Sequence, residues 1–112
     1  MNNHDLHKKK MMDEISVNDF TKLNGTIMRT VGTFSHPWFK GSNLKIALNK
    51  DDVEIYQSLD YLQQCGFIKV RVIDTKEEVE VYDFDLEEIE VRPSADGIKL
   101  LNFKKKDELI EI

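Results

Sequence analysis

The chain has one cysteine (Cys65), two prolines and five glycines in 112 residues. A single thiol cannot close an internal disulfide, and with only His4, His7 and His36 beside it no thiolate metal site can be assembled. A reducing, cytoplasmic setting is expected, with no metal and no cofactor. Sparse Gly and Pro, set against 40% hydrophobic and 33% charged residues, argue against wholesale disorder and against a linker-like chain. No apolar run exceeds four residues, so neither a membrane span nor a secretion signal is expected. A glycine-rich phosphate loop is also missing. What remains fits one small folded domain.

Charge is distributed unevenly. The formal net charge is −5. Residues 1–50 hold eight basic against four acidic side chains, and residues 51–112 hold eight against seventeen. Nine acids fall within residues 74–90, interrupted only by Lys76. Such a run repels phosphate.

Periodicity divides the chain into elements. Residues 1–15 are polar, without a sustained period, and are expected as a flexible basic arm carrying Lys8, Lys9 and Lys10, with the folded domain spanning 16–112. Ser16 and Asp19 form an acidic variant of a helix-opening box, followed by Val17, Phe20, Leu23, Ile27 and Val31 at helical spacing up to Gly32. Pro37 forces an extended connection at His36. Ser42 or Asn43 then caps a short helix closed by Asn49, and Asp51 with Glu54 opens a third whose stripe is Val53, Tyr56, Leu59 and Leu62, ending at Gly66. After Gly66 the period changes to two. Residues 68–73 and 79–84 read as an antiparallel hairpin, residues 89–92 as a further short strand, and Pro93 with Ser94 as the opening of a last helix that turns Ile98, Leu101 and Leu109 inwards.

Within this order of elements, Leu44-Lys45-Ile46-Ala47-Leu48, Asp52, Ile55, Leu59-Asp60-Tyr61-Leu62 and Cys65-Gly66-Phe67-Ile68 resemble the helix-turn-helix and wing entry of winged-helix domains. The exit from Val91 through Ser94 and Gly97 to Leu100 and Leu101 is similar to that of many bacterial and phage winged-helix regulators. The resemblance implies an α+β winged helix, a three-helix core with a β-hairpin wing and a C-terminal helix. It also implies a small transcriptional regulator that lays its third helix in the major groove of double-stranded DNA.

On that reading the DNA-binding candidates are Lys50, Gln57, Ser58 and Tyr61 on the outward side of the third helix, with Lys40, Lys45, Lys69 and Arg71 as a basic surface around the second helix and first wing strand. The wing departs from the pattern, because DNA-binding relatives carry Arg or Lys where this chain is acidic. An alternative follows: a protein-interaction adaptor on the same scaffold, with Glu77, Glu78, Glu80, Asp83 and Asp85 as the partner-binding surface. Trp38 and Phe39 cannot both enter one small core from an extended segment; the outer one, joined to Phe34 or Tyr61, offers a patch for a homodimer, as do residues 95–112. No nucleophile, acid–base pair or metal-ligand set is nominated, so an enzyme is not expected.

Overall fold

The structure, a computed structural model, describes the backbone of residues 3–34 and 38–112 and the side chains of residues 16–33 and 38–112. Helix α1 spans Asn3–Phe34, strand β1 Phe39–Lys40, helix α2 Gly41–Leu48, helix α3 Asp52–Gln64, strand β2 Ile68–Val72, strand β3 Ile89–Pro93 and helix α4 Ala95–Leu101. Among the described residues the architecture is α+β: four α-helices and one antiparallel sheet in the order β1-β3-β2. Among these described helices none is long and apolar enough to cross a membrane. Lys8–Lys10, the His4 and His7 pair and the His36–Pro37 step lie outside the described residues or side chains.

Local signals place most boundaries. The Asp51 side chain accepts from the Glu54 amide at 2.9 Å and starts α3. Gly66, at φ +79°, ends that segment in the left-handed turn while the Phe67 amide returns to Leu62 O at 3.0 Å. Asn49 closes α2 at φ 50°, and Ser94 accepts from the Gly97 amide to open α4. Two boundaries differ from expectation. Helical backbone begins at Asn3, so the box at Ser16 lies inside α1, and α2 starts at Gly41 behind Lys40 without a side-chain cap.

The expected hairpin partner of β2 is corrected. Residues 77–79 do fold back on β2, with Val72 N to Glu77 O at 2.9 Å and Val79 N to Val70 O at 3.1 Å, but pairing stops there. The Gln63 side chain on α3 captures Val79 O at 2.7 Å and the Val81 amide at 3.1 Å. Val81 is thereby drawn into the core at the start of a 3-10 turn over Val81–Asp83. The long partner of β2 is β3, in the register Lys69↔Arg92, Val70↔Val91 and Arg71↔Glu90.

The core is filled by Leu23, Ile27, Met28 and Val31 of α1, Leu44 of α2, Ile55, Leu59 and Leu62 of α3, and Ile68, Val70, Ile89 and Val91 of the sheet. The α3 stripe is rotated from the expected one. Ile55, Ser58, Leu59 and Leu62 are fully buried, at the i, i+3, i+4, i+7 spacing of a single helix face, while Val53 is 64% exposed. Val17 and Ile98 are likewise exposed, and Leu100 rather than Ile98 anchors α4.

The end of the chain is clamped to α1. Asn24, fully buried, donates from Nδ2 to Leu109 O at 2.8 Å, and Thr21 O accepts from the Glu111 amide at 3.2 Å. Gly25 makes that contact sterically possible, because a Cβ on it would lie 1.7 Å from Glu111 O. Gly32 faces only the tip of the Leu101 side chain. Ala gains about 1 kcal/mol over Gly in a helix interior, yet Gly25→Ala is expected to lower stability by about 1–3 kcal/mol through overpacking against backbone. Urea unfolding checks this: Gly25→Ala should move the midpoint down and Gly32→Ala far less, and equal shifts would contradict the clamp.

Candidate interaction surface

The outward side of α3 carries Asp52, Val53, Tyr56 and Gln57, flanked by Lys45 of α2 and by Lys50. Both lysines are already paired. Lys45 Nζ lies 2.8 Å from Asp52 Oδ1, and Lys50 Nζ 3.6 Å from Glu54 Oε2. The Asp52 hydrogen bond and charge, with Glu87 and Asp51 behind them, raise the Lys45 pKa. A cation held in a field of carboxylates offers little to phosphate.

The loop between β2 and β3 lies against this face. Tyr56 donates to Phe84 O and stacks on Tyr82, with ring centroids 5.7 Å apart and planes 17° from parallel. Burial and the charges of Asp85, Asp52 and Glu87 raise the Tyr56 pKa. Asp85 and Glu88 form a reciprocal box that opens a 3-10 turn over Leu86–Glu88, holding the chain in place as it returns to β3. Glu77, Glu78, Glu80, Asp83, Asp85 and Glu87 are all exposed. Tyr82 is 58% exposed, so this surface combines acids with accessible aromatic and aliphatic area at Tyr82 and Val53.

The eight DNA-binding candidates separate into four groups. Gln57 is exposed on α3, and Lys45 and Lys50 flank it as ion pairs. Lys40, Lys69 and Arg71 come together elsewhere, on the open face of the sheet, where Arg71 donates to Glu90 at 2.7 Å. Ser58 is not outward: it is fully buried and donates its hydroxyl to Asn24 Oδ1. It reads as a surface residue because it is polar, but a partner 34 positions away satisfies it. Tyr61 is also turned away, half-buried with its hydroxyl donated to Asp107 at 2.7 Å and its ring edge-on to Phe20 at 5.5 Å. It does not join Trp38 in a patch; Phe39 packs on the core and Trp38 lies half-buried over the sheet.

Sequence reasoning missed Arg92, Glu90 and Tyr82. The alternation Ile89, Glu90, Val91, Arg92 holds the signal for the first two, since it sends Arg92 to the same side of the sheet as Lys69. An open cleft of about 340 Å³ between α1 and α3 is lined by Ser16, Asp19, Phe20, Leu23, Lys50, Glu54 and Gln57 and brings no contrasting acid–base pair together. Among the described residues no three His, Cys, Asp or Glu groups converge to hold a metal, and no buried side-chain N or O atom lacks a partner. No protein-family model matches the chain, and no curated protein matches its sequence.

Tyr61 generates a pH dependence. Burial first, then its hydrogen bond to the Asp107 carboxylate, raises its pKa well above the usual 10.0. The unfolded chain loses this proton first, so stability falls as pH rises past about 10. Urea midpoints at about pH 9 and pH 11 should differ less in Tyr61→Phe than in the parent chain; an unchanged difference would contradict the half-buried Tyr61–Asp107 contact.

Proposed function

We propose that this chain is a non-enzymatic interaction domain on a winged-helix scaffold, and that its α3 and loop face receives a basic, amphipathic segment of a protein partner. The order of helices and strands and the β1-β3-β2 sheet are compatible with that scaffold, in which residues 73–88 take the place of the wing. One observation carries the choice of partner. Both lysines beside α3 are bound to carboxylates, while exposed Asp83, Asp85 and Glu87 lie on the same loop as an exposed Tyr82, which stacks on Tyr56 of α3, and Val53 of α3 is exposed as well. Acids next to exposed apolar side chains complement a helix with lysines on one side and leucines on the other. Cys65, free and half-buried, is in keeping with a cytoplasmic protein.

A second reading, the DNA-binding regulator, draws support from the exposed Gln57 on α3 with Lys50 close by. Against it stand the buried Ser58, the occupied Tyr61 and the acidic loop in the position where a wing would meet the sugar–phosphate backbone.

Fluorescence anisotropy separates the two. The probes are a labelled amphipathic Lys/Leu helix peptide and a random 20-base-pair duplex, each at about 50 and 200 mM salt. The peptide is expected to bind and the duplex not to. Charge-neutral Tyr82→Ala should weaken the peptide about tenfold, while Glu108→Lys, a charge change beside Asn18 and Lys22 of α1, should alter it by less than about twofold. Duplex binding with a steep salt dependence, or equal losses in both variants, would contradict the proposal.

A further inference from the structure

Helix α4 ends in a left-handed closure made by two backbone bonds: Phe103 N donates to Leu100 O at 3.1 Å and Lys104 N to Lys99 O at 2.8 Å. The residue in the left-handed position is Phe103, at φ 60°. Glycine is the usual occupant there, and a bulky side chain at positive φ is an outlier. The two residues that close such a turn commonly pack apolar side chains together, but here they are Lys99 and Lys104, both exposed. Phe103 is left 70% exposed, and Ile98 on α4 is 50% exposed. Residues held in this kind of strain cluster at ligand contacts and switch regions, and burial of the ring does not account for this one.

The charges that flank the ring are mostly basic. Lys99, Lys104, Lys105 and Lys106 are exposed, and Asp96 meets two of them, 3.1 Å from Lys105 Nζ and 4.0 Å from Lys99 Nζ. Asp107 is held by the Tyr61 hydroxyl and the Leu109 amide, and Glu108 lies beside Asn18 and Lys22 of α1. Ile98, Lys99 and residues 103–106 thus form a basic tip with exposed apolar side chains, on a chain whose net charge is −5. The α3 and loop face has the complementary character, with exposed Asp83, Asp85 and Glu87 beside exposed Tyr82 and Val53. The two surfaces lie apart. Asp107, next to the tip, meets Tyr61 in the last turn of α3, and the rise along the helix from Val53 to Tyr61 is about 12 Å. Within one copy the tip leaves the face uncovered, as the exposure of both Tyr82 and Phe103 shows.

We propose that the chain associates with a second copy of itself head to tail, the tip of one copy seated on the α3 and loop face of the next, with Phe103 against Tyr82 and Val53 and the lysines against Asp83, Asp85 and Glu87. This pairing rests on the reading of that face given above and names its partner: the basic segment with exposed apolar side chains is the chain's own. The like net charge of two copies opposes it only weakly, because at physiological salt charges are felt over about 8 Å, and at that range the two complementary surfaces face each other. Each contact uses a tip on one copy and a face on the other, and the rotation between copies sets where the assembly closes.

Sedimentation velocity over about 1–100 μM tests it. The mean mass of the parent chain should rise with concentration, with a dissociation constant that increases at least tenfold between about 50 and 500 mM salt. Phe103→Gly sets the favoured residue at the left-handed position, so it should weaken association at least tenfold while the urea midpoint stays level or rises; a ring that served the fold would lower the midpoint. Phe103→Gly/Lys104→Glu/Lys106→Glu removes the tip, and Tyr82→Ala/Glu87→Lys removes the face. Each of these should sediment as a monomer while keeping the parent's circular dichroism. Their equimolar mixture should form a heterodimer and nothing larger, because one intact tip then meets one intact face. A parent mass independent of concentration, a mixture that stays monomeric, or association unchanged in Phe103→Gly would overturn the proposal. So would a monomeric parent that binds phosphatidylserine vesicles or a labelled dT20 oligonucleotide through the tip, which would assign the tip to another partner. A monomeric parent that still binds the Lys/Leu peptide leaves the reading of the face standing, and one that binds neither fails both.

Discussion

Strand β3 is hydrogen-bonded on both edges, and much of the fold follows from its central position. Residues far apart in sequence must meet there: Phe39 from one side and Val70 from the other, both opposite Val91. Because side chains alternate, the placement that buries Ile89 and Val91 also sends Glu90 and Arg92 to the open side. A slip of one residue would place two charges in the core. The hydrophobic demand of Ile89 and Val91 therefore determines where the cations of the outer face stand. Glu90, only 7% exposed, accepts from Arg71 at 2.7 Å and lies 3.4 Å from Lys76 Nζ on the same oxygen.

The central slot also explains the loop. Between β2 and β3 the chain must leave one edge, cross the end of α3 and return, and residues 73–88 are anchored along that route by Gln63, Tyr56 and the Asp85–Glu88 box. Lys76 stands in the left-handed region at φ 64° to make the tight turn after β2. Its acids face solvent because Val81 and Leu86 take the inward positions. The other long-range tie is the pair Asn24 and Ser58, two fully buried polar residues that join α1, α3 and the chain end at Leu109. Burying such groups costs free energy unless each finds a partner, and here each does.

Several local signals read correctly: the cap at Asp51, the stop at Gly66, the close at Asn49 and the cap at Ser94 stand where expected, while the box at Ser16 and the cap at Ser42 or Asn43 do not. Other departures come where a distant partner decides. Residues 79–84 alternate like a strand, but nothing in that alternation reveals that Gln63 will take the Val79 carbonyl and Val81 amide. Ser58 looks solvent-facing until Asn24 is placed beside it, and that misassignment rotates the whole α3 stripe towards Val53. Gly25 reads as a weak point in a helix, and only the return of Glu111 shows it to be a contact. For the candidate surfaces, the acids of the loop were legible as a run. The open face of the sheet was legible only in part, because Lys40, Lys69 and Arg71 are joined to Arg92 and Trp38 by register rather than by nearness in the chain.

The acidic loop and the basic tip thus stand on one small sheet-and-helix frame, and both depend on β3, its middle strand, into which the loop runs and from which α4 departs. Amide hydrogen exchange tests that dependence most directly. With β3 in the centre, the amides of Glu90, Val91 and Arg92 exchange only through global unfolding, and those of Tyr82 to Asp85 exchange several orders of magnitude faster. Strong protection across residues 79–84 together with rapid exchange at 90–92 would mean that the hairpin pairs as its alternation suggests, and would contradict the account.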